Sequence, residues 1–235
     1  MESKIKFILF EPSHPGNVGA AARAIKTMGF DKLCLINPIE HPHSEARARS
    51  SGALDVLLNA EVFDNLQDAI KCCGLIIGTT SRTRRISVPI TNIRETAPSI
   101  IAKAKQKPVA VIFGPEKSGL INKQVDCCNQ LVNIPSIGSY KSLNLAMAVQ
   151  IVAYELRVAS EALPSAIRAR NLASNDEIEL FYNHLNQVLL ETGFLDPKNP
   201  KQLMRRLRAL FNRAQMDENE INIMRGILAS YKTQQ

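Results

Sequence analysis

Short runs of β-forming residues alternate with amphipathic stretches through the first 160 residues, and this alternation constrains the fold more than any other feature. The apolar runs predict strands at 4–10, 32–36, 61–63, 75–77, 109–113 and 131–134. The intervening stretches predict helices ending at residue 28 and spanning 44–57, 65–72, 92–105 and 122–129, with another from about 142. Because parallel strands need long crossovers, usually helices, this order predicts an α/β domain with a parallel sheet. Helices are expected on both faces of that sheet.

The composition changes after residue 161, where apolar periodicity is lost for about a dozen residues. We interpret 1–161 as the α/β domain, 162–175 as a linker and 176–235 as a small all-α extension. Helices are predicted at 176–192, 201–213 and 217–231, the last opening with the Asp217 and Glu220 spacing of a capping box. Three short helices form a marginal core, so the extension is expected to pack on the sheet, a second subunit or its ligand.

Charge and cysteine content narrow the class of protein. A net charge of +7 favours a polyanionic partner, although basic proteins without one are common. The five cysteines show no Cys-x-x-Cys spacing, which favours small buried side chains in a reducing compartment. No apolar run approaches the ~20 residues of a membrane span, and no signal-peptide pattern precedes the first strand. We therefore expect a cytoplasmic protein.

Three polar segments follow predicted strands at the ends where α/β proteins bind ligands. They are 17–23, 113–120 and the loop after 131–134. Ser142 is expected to cap the helix that follows this last loop. The phosphate-loop motif of nucleotide-binding proteins is not matched. Gly114 and Gly119 have its spacing, but Leu120 stands where a lysine is required. No cluster of cysteines or carboxylates joins His41 and His43 at ligand spacing, so we expect an exposed loop there and no metal site.

Taken together, these segments resemble the three signature motifs of the SPOUT RNA methyltransferases, in the branch that methylates the ribose 2′-hydroxyl. The motifs read Asn17-x-Gly19-x-x-x-Arg23, then Phe113-Gly114-x-Glu116-x-x-Gly119-Leu120, then Ile134-Pro135 leading to Ser142-Leu143-Asn144-Leu145-Ala146. The likeness covers residues 4–160. Further details, including Tyr140 and the helical tail, resemble the bacterial tRNA enzymes that methylate the ribose of cytidine or uridine 32 in the anticodon loop.

The resemblance implies a SPOUT sheet that ends in a C-terminal trefoil knot, and a homodimer whose active site is completed across the subunit interface. It also implies S-adenosylmethionine as the methyl donor, without a metal. By position, the cofactor would contact Thr79, Thr80, Ser81, Gly114, Ile134, Lys141, Ser142 and Leu143. Most of these contacts would come from backbone groups, which fits the small residues in the three loops. Lys141 departs from the small polar residue expected there.

Catalysis would require the enzyme to align a poor nucleophile and to stabilise the charge that develops on it. Arg23 is the candidate for the second role, since a guanidinium stays protonated and can grip a phosphate bidentately. The alternative is a surface arginine paired with Glu11 or Glu116. Glu116 could orient Arg23 or a substrate group, or it could cap a helix.

The remaining catalytic candidates come from the third motif. Tyr140 could stack on a base or bond within the site, or it could fill the dimer interface. Ser142 and Asn144 fit roles on the substrate side and in holding the knot, with helix capping as the alternative. The sequence leaves these alternatives open.

One polar and several basic side chains are predicted to bind RNA. The candidates are Asn17, Arg82, Arg84, Arg85, Arg205, Arg206 and Arg208. A solvated loop is the alternative for the arginines at 82–85, and a solvated helix for those at 205–208. Two other functions stay open: 2′-O-methylation of ribosomal RNA, and RNA binding without catalysis.

Overall fold

The computed structural model describes residues 4–82, 88–137, 142–162 and 171–232. Seven parallel strands form one sheet in the order β3-β2-β1-β6-β4-β7-β5. The strands are β1 (Ile5–Phe10), β2 (Lys32–Ile36), β3 (Glu61–Phe63), β4 (Leu75–Thr79), β5 (Ile90–Asn92), β6 (Val109–Phe113) and β7 (Gln130–Asn133). The predicted parallel α/β sheet is confirmed.

Helices cover the sheet on both faces. Those of the α/β domain are α1 (Pro15–Thr27), α2 (Ser44–Ser50), α3 (Leu54–Leu58), α4 (Leu66–Ile70), α5 (Ile93–Ala104), α6 (Asn122–Val125) and α7 (Leu145–Ala162). Successive residues of β1 point to opposite faces, so Phe7 packs with α1, α5 and α7, whereas Ile8 packs with α4 and α6. Burial on both faces explains why the central strands are continuous apolar runs.

Several predicted boundaries are wrong. Strand β5, which has three residues and directly follows Pro89, was not predicted, and the helix predicted over 122–129 is a single turn. The helix predicted over 44–57 is interrupted at Ser51, whose φ of +48° lies in the left-handed region. The last helix of this domain begins at Leu145 rather than near Ser142, because the side chain of Asn144 accepts its first N–H groups.

The C-terminal extension is a three-helix unit with a core of its own. Its helices are α8 (Asn175–Glu191), α9 (Leu203–Ala214) and α10 (Glu218–Lys232), and Phe181, Tyr182 and Met216 lie in its core. The predicted capping box is confirmed, since the N–H of Glu220 donates to Asp217 and the N–H of Asp217 to Glu220. Residues 171–174 of the predicted linker are ordered, and 163–170 lie outside the described residues.

The extension docks where strands β4, β6 and β7 begin. Backbone N–H groups of Asn175 and Asp176 donate to the carbonyls of Cys73 and Lys71, just before β4. The amide of Asn212 donates to the carbonyls of Asp126 and Cys128, just before β7. These contacts lie at the edge of the sheet opposite to the one where the strands end. The implied trefoil knot stays a prediction, because the loop segment 138–141 lies outside the described residues.

The other expectations concern cysteines and membranes. All five cysteines are free thiols, and Cys34, Cys73 and Cys128 are buried as predicted. Cys72 is exposed, contrary to the prediction, and Cys127 is only partly buried. Within the described ranges, no helix combines the length and the apolar character that crossing a membrane requires.

Candidate active site at the carboxyl edge of the sheet

A cavity of about 400 Å³ lies where strands β4, β6 and β7 end. Its walls come from three loops and the first turns of α7: Thr79, Thr80, Ser81, Arg82, Phe113, Gly114, Pro115, Glu116, Lys117, Ser118, Gly119, Leu120, Val132, Ile134, Ser142, Leu143, Leu145 and Ala148. Seven of the predicted cofactor residues are among them, and Lys141 lies outside the described residues. The structure therefore brings these predicted residues together, while their contact with a cofactor stays a prediction.

The loop of the second motif turns back on itself at two glycines. A Cβ on Gly114 would lie 2.3 Å from the nitrogen of Leu120, a distance no side chain tolerates. Gly119 has a φ of +60°, and its N–H donates to the carbonyl of Pro115 at 2.8 Å. Leu120 is buried in the core beneath the loop. This tight return places the backbone of the loop along the cavity wall.

Glu116 fastens this loop to the start of α1. Its carboxylate accepts hydrogen bonds from the N–H and the hydroxyl of Ser13, at 3.0 and 2.8 Å, and from the amide of Asn17 at 2.7 Å. Partial burial acts to raise the pKa of Glu116, but the hydrogen bonds from Asn17 and Ser13 outweigh it and hold the pKa below its ordinary value. The carboxylate is therefore ionised at neutral pH. It supplies the start of α1 with an acceptor that the capping residue His14 does not provide.

Asn144 joins the third motif to the first. Its carbonyl oxygen accepts from the N–H groups of Ala146 and Met147, at 2.9 and 3.3 Å, and thereby caps α7. Its amide donates to the carbonyl oxygen of Asn17 at 2.9 Å. Asn17 thus links Glu116 to Asn144, which connects all three motifs through side-chain hydrogen bonds.

Arg23 lies exposed on α1, less than two turns beyond Asn17. In the part of the chain that the structure describes, its guanidinium pairs with neither Glu11 nor Glu116, the two partners proposed as the structural alternative. Glu116 instead bonds Ser13 and Asn17, so it does not orient Arg23 directly. The charge of Arg23 is available to a ligand.

The remaining residues of the predicted site have mixed environments. The hydroxyl of Thr79 donates to the carbonyl of Ile112, and that of Thr80 accepts from the N–H of Arg82 at 3.1 Å. Arg82 and Ser142 are exposed at the cavity. Arg84, Arg85 and Tyr140 lie outside the described residues.

The three arginines predicted to bind RNA in α9 differ in their surroundings. Arg205 pairs with Asp126 at 2.9 Å, which fastens the extension to the α/β domain. Arg208 makes two hydrogen bonds of 2.7 Å with Glu179 and lies 4.2 Å over the ring of Tyr182. Arg206 is exposed. Arg205 and Arg208 thus have intramolecular contacts that were not predicted, and RNA binding by the three arginines stays a prediction.

Ser13 is a site residue that the sequence analysis missed. Its position two residues before Pro15, at the start of a helix, was the available signal for a capping role. Its partner Glu116 is 103 residues away in sequence, so the contact itself had no local signal. Across the described residues, no three His, Cys, Asp or Glu side chains lie close enough together to hold a metal ion.

Comparisons with known proteins agree with this architecture. The SpoU rRNA methylase family model matches residues 4–154, and the model of the C-terminal domain of tRNA methyltransferase TrmJ matches 176–235. The tRNA (cytidine/uridine-2′-O-)-methyltransferase TrmJ of Klebsiella pneumoniae is 43% identical over 240 residues, covering 100% of this chain and 98% of that protein.

Solved structures give the same result. TrmJ from Z. mobilis ZM4 superposes with a TM-score of 0.83 at 30% identity, covering 97% of this chain and 98% of that one. A probable methylase family protein from Haemophilus influenzae is 37% identical, with a TM-score of 0.66 and coverage of 100% and 98%. The chain belongs to the SpoU methylase family, in the group of the tRNA (cytidine/uridine-2′-O-)-methyltransferases TrmJ.

Proposed function

We propose that this protein transfers a methyl group from S-adenosylmethionine to the ribose 2′-hydroxyl of tRNA, at cytidine or uridine 32 of the anticodon loop. The observation that carries the proposal is the joining of all three motifs through Glu116, Asn17 and Asn144 beside one cavity. The near full-length similarity to TrmJ supports tRNA as the substrate. Position 32 follows from the resemblance in sequence detail.

The cavity is large enough for a small-molecule cofactor such as S-adenosylmethionine. Its volume of about 400 Å³ lies within the range of roughly 300–1,000 Å³ found for small-molecule sites. The loops at 79–81, 114 and 134 offer backbone groups and small side chains, and Ser142 and Leu143 close the far wall. The bound cofactor would supply an electrophilic methyl group. The chain would hold it by shape and backbone contacts, as the Gly114 turn allows.

Arg23 is the residue that we assign to act on the nucleophile, the ribose 2′-oxygen. Its exposed guanidinium would stabilise the negative charge that develops on the ribose oxygen and hold the adjacent phosphate. Glu116 is a poor candidate for a general base, because its lowered pKa and its three hydrogen bonds stabilise the ionised form. It acts instead as a positioning residue that fixes Asn17 and the start of α1.

We further propose a homodimer that uses the outer face of α7. Met147, Tyr154 and Val158 are 61%, 51% and 43% exposed. Spacings of seven and eleven residues place them on one side of the helix. An apolar stripe beside the cavity suits a second copy of the chain that completes the site. Sedimentation of the wild type and of Tyr154→Glu measures the oligomeric state and so tests the proposed dimer. A monomeric wild type would contradict it.

The function is tested with purified protein, S-adenosylmethionine and full-length tRNA transcripts that carry cytidine or uridine at position 32. Mass spectrometry of nuclease fragments should locate one methyl group at that nucleotide. A transcript with a 2′-deoxy residue at position 32 should accept none, because the nucleophile is missing. Methylation elsewhere in the tRNA would overturn the assignment to position 32, and methylation of ribosomal RNA alone would overturn tRNA as the substrate.

A further inference from the structure

The first half of α1 packs directly against α2. A Cβ on Gly19 would lie 2.0 Å from the carbonyl oxygen of Ala46, so only a glycine allows the two backbones to approach this closely. At Gly16, one turn earlier, the nearest atoms belong to the side chains of Glu45 and Arg49. The Cγ of Arg49 lies 3.7 Å from this Cβ position, so the stem of Arg49 lies beside the first turn of α1, with the carboxylate of Glu45 nearer at 2.6 Å.

Arg49 is exposed and, within the described residues, forms no ion pair. This sets it apart from Arg94, Arg157 and Arg208, each of which pairs with a carboxylate at 2.7–2.9 Å. Glu45 stands four residues before Arg49, the spacing that commonly gives a helical ion pair. Here both side chains lie against Gly16 without pairing, so the charge of Arg49 stays available.

The helical geometry of α1 relates Arg49 to Arg23. Gly16 and Arg23 are seven residues apart, so they lie on nearly the same side of α1, about 10 Å apart along its axis. Arg49 lies over Gly16 at one end of this side, and Arg23 extends from the other. Both side chains are exposed along this side of α1.

We propose that Arg49 binds a backbone phosphate of the substrate RNA close to the methylated nucleotide, so that the site extends from α1 onto α2. This inference depends on the proposed function for the identity of the RNA. Two exposed guanidinium groups along one helix side suit successive phosphates of a looped strand, since each can hold a phosphate bidentately. Arg49 thus positions the RNA, while Arg23 acts at the reacting ribose.

The test measures tRNA binding by the full-length protein as a function of salt concentration, for the wild type, Arg49→Ala and Arg47→Ala. Arg47 is the matched control, since it is also exposed on α2 but lies two residues away, on another side of the helix. Arg49→Ala should weaken binding about tenfold at low salt and reduce the slope of log K against log salt by about 0.7–0.9. Arg47→Ala should change neither quantity. Arg49→Lys should retain most of the slope, because it keeps the charge.

Cofactor affinity and melting temperature should be the same in all variants, which separates RNA binding from a structural role. An unchanged slope in Arg49→Ala, or equal losses in Arg47→Ala, would overturn the proposal. Failure of the proposed function would look different, since the wild type would then bind tRNA without methylating it. The slopes of the variants would still decide whether Arg49 contacts RNA.

Discussion

Asn144 carries two separable contacts, so its substitution makes a quantitative prediction. Its carbonyl oxygen caps α7, and its amide donates to Asn17 at 2.9 Å. Asn144→Ala removes both contacts. Asn144→Ser keeps a capping oxygen but is too short to reach Asn17.

The expected losses follow from these contacts. A lost N-cap costs about 1 kcal/mol, and a hydrogen bond at an exposed site about 0.5–1 kcal/mol. Asn144→Ala should therefore destabilise the protein by about 1.5–2 kcal/mol, or about 3–8 °C in melting temperature for a chain of this length. Asn144→Ser should lose only the smaller part, about 0.5–1 kcal/mol.

Thermal unfolding of both variants, each with and without Asn17→Ala, measures these terms. In the Asn17→Ala background the serine variant should cost almost nothing further, because the bond is already absent. Single-turnover methylation should fall in both Asn144 variants, since Asn17 loses a fixed partner. Equal destabilisation by serine and alanine would refute the division into two contacts. Additive costs of Asn144→Ser and Asn17→Ala would show that the bond contributes nothing.

The remaining predictions concern four side chains. Arg23→Ala should lower the single-turnover rate by about 10²–10³ while cofactor affinity, measured by calorimetry, stays unchanged; Arg23→Lys should remain nearly as slow at every pH if bidentate positioning dominates. Because the folded-state pKa of Glu116 lies below its ordinary value of 4.5, its stabilisation is present above that pH and is lost as pH falls through the lower value. Acid unfolding curves of Glu116→Gln should lack this contribution and converge with the wild type at low pH. Arg208→Ala should lower the melting temperature, since it breaks contacts with Glu179 and Tyr182. Arg206→Ala should instead reduce the affinity for tRNA and its salt dependence while leaving the melting temperature unchanged.

The sheet could be predicted because its information is local. Each central strand is a run of β-forming residues buried on both faces, and each run can be recognised from its own residues alone. The missed strand β5 has only three residues, all partly exposed or exposed, and its pairing with β7 comes from the fold rather than from its own pattern. Asn144 took the capping role predicted for Ser142 because both residue types cap well, so propensity could not separate them.

The site shows the same division between local and distant information. The motif residues lining the cavity, such as Thr79 and Gly114, stand at strand ends, where fold class alone places a site. The bond between Glu116 and Asn17 spans 99 positions, and no pattern in either segment predicts it. The intramolecular contacts of Arg205 and Arg208 in α9 were not predicted for a related reason. Charge shows that a side chain is basic, but whether it faces RNA or a carboxylate depends on which helix packs beside it.

The docking of the C-terminal extension limits how it can act in catalysis. Its anchors lie just before β4, β6 and β7, whereas the cavity lies where these strands end. Strand β4 has five residues and therefore separates the two edges by about 16 Å. The extension thus stands away from the cavity of its own subunit, and a contact of Arg206 with tRNA would involve nucleotides other than the one being methylated in that subunit. Substitutions on the exposed side of α9 should accordingly change RNA affinity while leaving the cofactor site unaltered.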